Sequence, residues 1–438
     1  MTRAAPWLAA LAGLLLTLLA FWPGYLSWDS AWQWWQARTG ELDPAHPPAM
    51  VRVWQLSRLA LPDPGGMLLL QVALWWAAMA AFAQALGGGA WRRASTVVFI
   101  GAWPPLLALL PHLWKDLWMM AWFALAVALL AAELRAPRRS LRVAAVLALG
   151  AGVAFRHNAL PAALPLLAWL AWRQWPGRGL RVGATAVVLA VLVQGVSWIA
   201  NLAPGARATP VWPVVAMWDI AAVSIAEDEL LFPEDWIEPG LTVADLRRDF
   251  SPFVNVPSFA SGQLRLNLYT EFTPEQFAAL REAWLVLPLE HPRAYFAHRA
   301  EVAAYLVGFR QEAHPDYLVL QPTIVPLRDN PAVAPPSGAL HGWLQPALNA
   351  AVDTPLFAAW PCLLASLLLA AYAAWRRAPG DGLVAVVAAS GWALALPLFL
   401  LAPSSDFRYV GWCVLAALLA AGLAFQPRPG ARRNPRPL

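Results

Sequence analysis

Long apolar stretches dominate this chain and restrict what it can fold into. They reach spanning or near-spanning length at about 6–24, 66–86, 94–111, 116–134, 141–155, 158–172, 181–200, 354–375, 382–402 and 408–425. A soluble protein of 438 residues does not need 60% hydrophobic residues, because its core cannot bury so many. The sequence therefore predicts an all-α polytopic membrane protein with about ten transmembrane helices.

Arginine alternates between the two sides of these predicted spans. One set of turns holds Arg3; Arg92 and Arg93; Arg135, Arg138, Arg139 and Arg142; Arg173, Arg178 and Arg181; Arg376 and Arg377; and Arg428, Arg432, Arg433 and Arg436. The short turns on the other side hold one base each, namely Lys115, Arg156 and Arg408. Because basic residues favour cytoplasmic loops, we expect a multi-pass protein of the bacterial inner (cytoplasmic) membrane with both termini in the cytoplasm. The net charge of +5 thus concerns topology and does not indicate nucleic acid binding.

Composition divides the chain into four segments. Residues 1–200 form an N-terminal membrane domain with seven spans and a first outer loop at 25–65. Residues 201–353 form a periplasmic or extracellular domain of mixed, mainly helical structure that holds most of the acids. Residues 354–425 form three C-terminal spans, and residues 426–438 form a cytoplasmic tail. The oligomeric state is not indicated by the sequence.

Two outer regions are expected to contain further helices. In the first outer loop, amphipathic helices are predicted at 27–37 and 49–60, lying flat on the outer membrane face. In the outer domain, helices are predicted at 273–287, which begins with a Thr-Pro-Glu-Gln start signal, and at 293–309. Residues 311–346 are rich in proline and are expected to be irregular.

An acidic residue follows the first predicted span directly, in the stretch Trp22-Pro23-Gly24-Tyr25-Leu26-Ser27-Trp28-Asp29-Ser30. A carboxylate among aromatic side chains at a membrane boundary is costly unless it has partners or a function. Asp29 is therefore a candidate general base or metal ligand. The simpler interpretation is a helix N-cap or a surface acid, since Asp favours such positions.

Lys115 and Asp116 stand at the start of the fourth predicted span, and Lys115 is the single lysine in the chain. A compact ammonium on a flexible stem suits a phosphate oxygen, and the N-terminus of a helix also favours an anion. The pair is thus a candidate phosphate site. The alternative is an interfacial anchor in which Lys115 pairs with Asp116.

Three further polar groups fall on the same predicted side. Arg156-His157-Asn158 separates two short spans, and it is either a phosphate clamp or a tight turn with a snorkelling arginine. Asp406-Phe407-Arg408-Tyr409 precedes the last span, where Asp406 is either a helix cap paired with Arg408 or the neighbour of a phosphate-binding Arg408. His46 precedes two prolines, and it is either structural or, with Asp29, part of an acceptor or metal site.

This pattern resembles the GT-C class of integral-membrane glycosyltransferases, and most closely the bacterial branch related to the protein O-mannosyltransferase and aminoarabinose transferase families. The motifs that carry the resemblance are Trp28-Asp29-Ser30 after the first span, His46-Pro47-Pro48, Lys115-Asp116, Arg156-His157-Asn158 and Asp406-Phe407-Arg408-Tyr409. The likeness covers most of residues 1–200 and the last three spans. The outer domain matches only loosely.

The resemblance implies an enzyme that transfers a hexose or pentose from a polyprenyl-phosphate donor to a lipid, glycan or protein acceptor on the outer membrane face. Asp29 would activate or hold the acceptor nucleophile, and three bases would bind the donor phosphate: Lys115, Arg156 and Arg408. Supporting roles would fall to His46, Asp116, His157, Asn158, Asp406 and Tyr409. Many members carry paired acids where this chain has Asp29 alone, so a divalent metal ion stays an open question, with Asp29 and Asp116 as candidate ligands.

Two other classes of function compete with this one. A transporter or flippase of a lipid-linked sugar should carry polar or broken helices at the middle of the bilayer, often in inverted repeats. Here the span interiors are nearly free of charge and no internal repeat is visible, which disfavours transport. A structural membrane protein without chemistry is the third interpretation, and the polar motifs gathered on one face argue against it.

Overall fold

The computed structural model is helical. It describes residues 3–61, 63–206, 210–260, 262, 264, 272–312 and 314–426. Helix accounts for 71% of the chain, and the described residues form no strand, only isolated bridges between extended segments. The all-α prediction is therefore confirmed.

Ten helices lie in the N-terminal part of the described chain; four of them have proline at one of their first two positions and two others are followed by a glycine, which suit those positions because proline lacks an N–H and glycine tolerates positive φ. These helices are α1 (Ala5–Phe21), α2 (Trp28–Thr39), α3 (Pro48–Ser57), α4 (Gly65–Leu86), α5 (Ala90–Gly101), α6 (Pro104–Leu109), α7 (Lys115–Arg135), α8 (Arg139–Phe155), α9 (Leu160–Gln174) and α10 (Gly179–Ala200).

The rest of the described chain adds α11 (Trp212–Glu227), α12 (Val243–Asp249), α13 (Val256–Ala260), α14 (Pro274–Glu290), α15 (Pro292–Leu306), α16 (Ala339–Ala351), α17 (Trp360–Arg376), α18 (Asp381–Leu401) and α19 (Gly411–Ala424). A 3₁₀ turn, Phe407–Val410, leads directly into α19. The main core is a bundle in which α7 packs against α4 and α8, and α18 packs against α9, α17 and α19.

Five described helical segments are long and apolar enough to cross a membrane: α4, α7, α10, α18 and the continuous segment Phe407–Ala424. Helix α10 is the clearest case, because only 11% of its most apolar window is buried inside the protein. Exposed Leu and Val side chains on a 22-residue helix need an apolar surrounding medium. This arrangement is compatible with a multi-pass membrane protein.

Two of the other predicted spans, at 6–24 and 354–375, are shorter than expected, whereas those at 141–155 and 158–172 are at least as long as expected. Helices α1 and α17 contain 17 residues each and α9 contains 15. The span expected at 94–111 is broken into α5 and α6, which corrects the prediction of one continuous helix. The reason is Pro104, which drives Trp103 out of the helical region, to φ −55° and ψ 122°.

The bundle has two chemically different ends. Helix α7 begins at Lys115 and ends at Arg135, about 30 Å away at 1.5 Å per residue. The far end is called the arginine end and holds Arg92, Arg135, Arg142, Arg173 and Arg376, which pair with Glu133 or Asp381 or donate hydrogen bonds to residues 424–426. The near end, called the Asp29 end, holds Asp29, Lys115, Arg156 and Arg408. The predicted segregation of arginine is thus visible in the fold.

The helices predicted at 27–37 and 49–60 are confirmed as α2 and α3, but the surroundings of α2 differ from the expectation. Residues 30–37 are all buried, whereas an amphipathic surface helix would expose one face. The segment predicted to be irregular at 311–346 covers them, although that prediction holds only in part, because Asp316–Leu318 form a 3₁₀ turn and residues from Ala339 onward belong to α16. The Arg328 guanidinium of this segment lies 4.3 Å and 4.1 Å from the ring centres of Trp32 and Trp35, and Asn330 donates a hydrogen bond to the Ala31 carbonyl.

The segment 201–353 contributes to two cores. Helices α11, α12, α14 and α15 enclose a second hydrophobic cluster that includes Trp236 and Leu280, while Leu327 and Leu348 join the main core. The predicted start of α14 is confirmed by a capping box, in which Thr273 accepts from the Gln276 backbone and the Gln276 side chain accepts from the Thr273 backbone. The second predicted helix is α15.

Candidate functional site

Backbone hydrogen bonds of residues 25 and 26 fix the position of the start of α2. The Tyr25 N–H donates to the Pro111 carbonyl at 2.9 Å, and the Leu26 N–H donates to the Thr323 carbonyl at 3.0 Å. Gly24, at φ +99°, makes the turn out of α1 that this register requires. Residues 25–26 are therefore held between two other segments, and Asp29 follows in the first turn of α2.

Asp29 forms an ion pair with Arg408. The distance from Arg408 Nη1 to Asp29 Oδ2 is 3.0 Å, and Arg408 Nη2 lies 3.6 Å from Asp406 Oδ2. Arg408 is buried, with 9% of its side chain exposed, whereas 25% of the Asp29 side chain is exposed. Arg408 thus lies between two carboxylates, of which Asp29 is the one nearer the surface.

His46 lies between Lys115 and Asp29. Its Nδ1 is 3.0 Å from Lys115 Nζ, and its Nε2 is 3.9 Å from Asp29 Oδ1. An ammonium can only donate a hydrogen bond, so Nδ1 accepts and the proton of a neutral imidazole resides on Nε2, facing Asp29. Lys115, His46 and Asp29 form a continuous row across the mouth of the site.

Arg156 and Asp116 form a deeper ion pair behind this row. Arg156 Nη1 lies 2.6 Å from Asp116 Oδ1, with 4% and 0% of the two side chains exposed. Arg156 Nε donates to Asn158 Oδ1 at 2.8 Å. The Tyr409 ring is shared, because Arg156 and Arg408 lie 5.4 Å and 5.3 Å from its centre. The sequence did not suggest Asp116 as the partner of Arg156.

Trp114 and Ser404 are two further residues of the cluster that the sequence interpretation missed. The Arg408 guanidinium lies 4.7 Å from the Trp114 ring centre, and Trp114 Nε1 donates to Ser27 Oγ at 2.8 Å. Ser404 Oγ donates to Asp406 Oδ2 at 2.9 Å. Trp114 directly precedes Lys115, so its position in the chain was a usable signal, whereas Ser404 carried none.

The charges around Asp29 and His46 set their protonation. Burial by itself would raise the pKa of Asp29, but Arg408, His46 and Lys115 outweigh it and keep the pKa below its ordinary value. Burial, together with Lys115, lowers the pKa of His46 to about 3. At neutral pH the site therefore holds an ionised Asp29 and a neutral His46.

Asp406 contacts the same arginine, but its pKa is displaced in the opposite direction from that of Asp29. Burial raises its pKa, and Arg408 and the hydrogen bond from Ser404 offset this only in part. Two carboxylates whose pKa values are displaced in opposite directions are typical of sites with divided acid and base roles. Asp29 is the ionised member of this pair.

The residues at the mouth leave the site open on one side. His157 and Asn158 are exposed, and 17% of the His46 side chain is accessible. Arg156, Asp116 and Arg408 line the interior behind them. A ligand entering here would meet Asp29 and His46 before it met the arginines.

The predicted site residues thus come together at one end of the bundle, linked by the contacts described above. His157 and Asn158 lie at the rim. The chain matches no family model, no curated protein and no solved structure. The resemblance to GT-C glycosyltransferases therefore stays a prediction that the motifs themselves carry.

The donor set does not fit a divalent metal ion. Asp29 faces Arg408 and His46, and the Asp116 carboxylate faces Arg156. Within the described residues no group of three or more His, Cys, Asp or Glu side chains is placed to hold a metal. Both candidate carboxylates are already paired with arginine, so neither offers a divalent cation a free carboxylate.

Proposed function

We propose that this protein is a membrane glycosyltransferase of the GT-C type. It transfers a sugar from a polyprenyl-phosphate donor to an acceptor on the outer face of the cytoplasmic membrane. The observation that carries the proposal is the meeting of one partly exposed carboxylate, Asp29, with Lys115 and Arg408 at the end of a bundle of apolar helices. A lipid-linked phosphate at a membrane surface calls for such a combination of charges.

The cations act on the leaving group. As the bond between the anomeric carbon and the phosphate oxygen breaks, negative charge grows on the phosphate, and fixed cations in a water-poor site stabilise it. Lys115 and Arg408 are the two cationic side chains close to Asp29, and Arg156 extends the positive charge inward. Removal of one such contact raises the barrier by roughly 2–4 kcal/mol.

Asp29 acts on the acceptor. Its carboxylate takes the proton of the acceptor nucleophile while that nucleophile bonds to the anomeric carbon, so the displacement inverts configuration without a covalent intermediate. Paired with Arg408, Asp29 is a weak base. A donor phosphate that takes over hydrogen bonds of Arg408 and Lys115 would withdraw their charge from Asp29 and raise its pKa. Donor binding would then turn a paired carboxylate into an effective base.

The row formed by Lys115, His46 and Asp29 gives His46 a positioning role. Its Nδ1 accepts from Lys115, and its Nε2–H faces Asp29 at 3.9 Å. A neutral imidazole separates the Lys115 ammonium from the Asp29 carboxylate and fixes the positions of both side chains. In this proposal it does not itself take the proton, because its Nδ1 already accepts from Lys115 and its Nε2 carries a proton.

The decisive test is Asp29→Asn in the full chain reconstituted into vesicles with polyprenyl-phosphate hexoses and pentoses. We expect transfer to fall by at least about 100-fold, since the base is lost. The measurement is release of free polyprenyl phosphate. Glycan and lipid analysis of cells with and without the gene supplies the acceptor.

Asp329→Asn is the matched control. Asp329 pairs with Arg38, outside the cluster, so transfer should stay at the wild-type level. Equal thermal stability of the variants excludes misfolding as the cause of a loss. Near-normal transfer by folded Asp29→Asn would refute the catalytic role. Movement of intact donor across the membrane without release of polyprenyl phosphate would indicate a flippase.

A further inference from the structure

A second basic site lies at the arginine end. A cavity of about 530 Å³ opens there, between the C-terminal ends of α7, α9 and α17 and the start of α18. Its charged and aromatic lining consists of Arg135, Arg173, Arg376, Arg377, Trp169 and Trp172. A cavity of this size accommodates a small ligand or a lipid headgroup. It is separated from the Asp29 cluster by the length of α7.

The lining carries more positive charge than the neighbouring acids neutralise. Glu133 is shared by Arg142 and Arg173, at 3.7 Å and 3.3 Å, and Asp381 pairs with Arg376. The other two arginines of the lining contact neutral oxygens in the part of the chain that the structure describes. Arg135 donates to the Leu86 carbonyl and to Gln426, and Arg377 donates to the Ala374 carbonyl at 3.3 Å.

Helix capping explains only part of this arrangement. Arg135 and Arg376 reach the last carbonyls of α4 and α19, where a cation is favoured by the helix dipole. Each of these two helix ends offers about half a negative elementary charge, which is less than the full charge of the arginine that reaches it. Arg377 caps only its own helix, in a left-handed conformation at φ +51°, and its side chain is exposed.

We propose that this cavity binds a phosphate-bearing anion. Guanidinium groups match phosphate oxygens with paired N–H donors, and Trp169 and Trp172 provide the aromatic wall that suits a headgroup at a membrane interface. The phosphate belongs either to an anionic lipid or to a soluble phosphate compound. Basic pockets between membrane helices bind lipid headgroups by the same chemistry.

The test is native mass spectrometry of the delipidated full chain in detergent, titrated with dioleoylphosphatidylglycerol, dioleoylphosphatidylcholine and inorganic phosphate. We expect phosphatidylglycerol to bind at least about tenfold more tightly than phosphatidylcholine. Arg377→Gln and Arg135→Gln should each weaken that binding by about tenfold, because each removes one charged contact. Thermal unfolding confirms that both variants are folded.

Arg178→Gln is the matched control. Arg178 lies among the arginine-rich turns, is exposed and stacks on Trp175, but does not line the cavity, so its loss should leave binding unchanged.

Displacement of phosphatidylglycerol by millimolar phosphate would assign the site to a soluble phosphate compound, and resistance to displacement would assign it to a lipid. Equal binding of both lipids without phosphate binding, or full affinity in both cavity variants, would overturn the proposal.

Discussion

At the scale of the residue, the nearness of Lys115 and the degree of side-chain exposure distinguish Asp29 from Asp406. Both carboxylates contact Arg408, at 3.0 Å and 3.6 Å. Asp29 is also near Lys115, whereas only 8% of the Asp406 side chain is exposed and burial dominates its pKa. The same residue type therefore becomes an ionised carboxylate in one position and a group that resists ionisation in the other.

His46 should make the protein less stable in mild acid. Its pKa is about 3 in the folded chain and 6.5 ordinarily, so between these values the unfolded chain binds a proton that the folded chain does not. Stability should therefore fall as pH drops below about 6.5, by up to about 1.4 kcal/mol per pH unit for this one proton.

Melting temperatures in detergent between pH 7 and pH 4 measure this effect, and His46→Gln should reduce the slope of melting temperature against pH. The slope will not vanish, because the pKa values of His112 and His314 are also lowered by burial and contribute with the same sign. An unchanged slope in His46→Gln would show that His46 titrates normally.

Lys115 should contribute to donor affinity more than to folding. We expect Lys115→Gln to weaken binding of a polyprenyl-phosphate sugar by about tenfold, the effect of one lost charge-assisted contact. Arg328→Gln is a suitable control, since Arg328 lies over Trp32 and Trp35 outside the Asp29 cluster. Equal donor affinity in wild type and Lys115→Gln would remove Lys115 from the donor site.

At the scale of the element, the contact between α7 and α8 aligns the deep ion pair. Asp116 stands in the first turn of α7 and Arg156 directly follows the last residue of α8, so the two helices must pack antiparallel and in register for the pair to form. Gly152 permits this approach. A Cβ atom there would lie 2.5 Å from the Phe123 ring.

Gly152→Ala should therefore destabilise the protein by about 1–3 kcal/mol, the usual cost of overpacking. Gly150 lies one half-turn away on the same helix, and a Cβ atom there meets nothing closer than Val196 at 3.7 Å. Gly150→Ala should be neutral or stabilising by about 0.5–1 kcal/mol, since alanine favours helix. Thermal unfolding compares the two, and equal stabilities would contradict the close packing of α7 on α8.

At the scale of the whole molecule, the two ends of the bundle carry different chemistry. One end gathers arginines that cap helix C-termini and surround a cavity, and the other gathers the Asp29 cluster. The arginine bias predicts that the Asp29 end faces the periplasm or cell exterior.

Cysteine labelling in intact cells tests this orientation. With Cys362 and Cys413 replaced, Ala206→Cys and Ser337→Cys should react with a membrane-impermeant maleimide, while Ser95→Cys, near the arginine end, should react only after the membrane is opened. Labelling of Ser95→Cys alone in intact cells would invert the topology and exclude an outer-face reaction.

The sequence by itself determined most of the apolar helices and the separation of arginine from the other polar motifs, but not the break at Pro104. These follow from local propensity and from transfer free energy, which depend on residue type and spacing. It also selected Asp29, Lys115, Arg156 and Arg408 as candidates, because charge near apolar stretches is costly.

Only the tertiary structure decided which of these charges meet. The contacts join residues far apart in the chain, such as Asp29 with Arg408 and Asp116 with Arg156, and no local rule selects such partners. Burial of α2 under residues 320–333 was likewise invisible, since it depends on where a proline-rich segment returns in space. The pKa differences between Asp29 and Asp406 arise from the same distances, because electrostatic interaction depends on separation and burial.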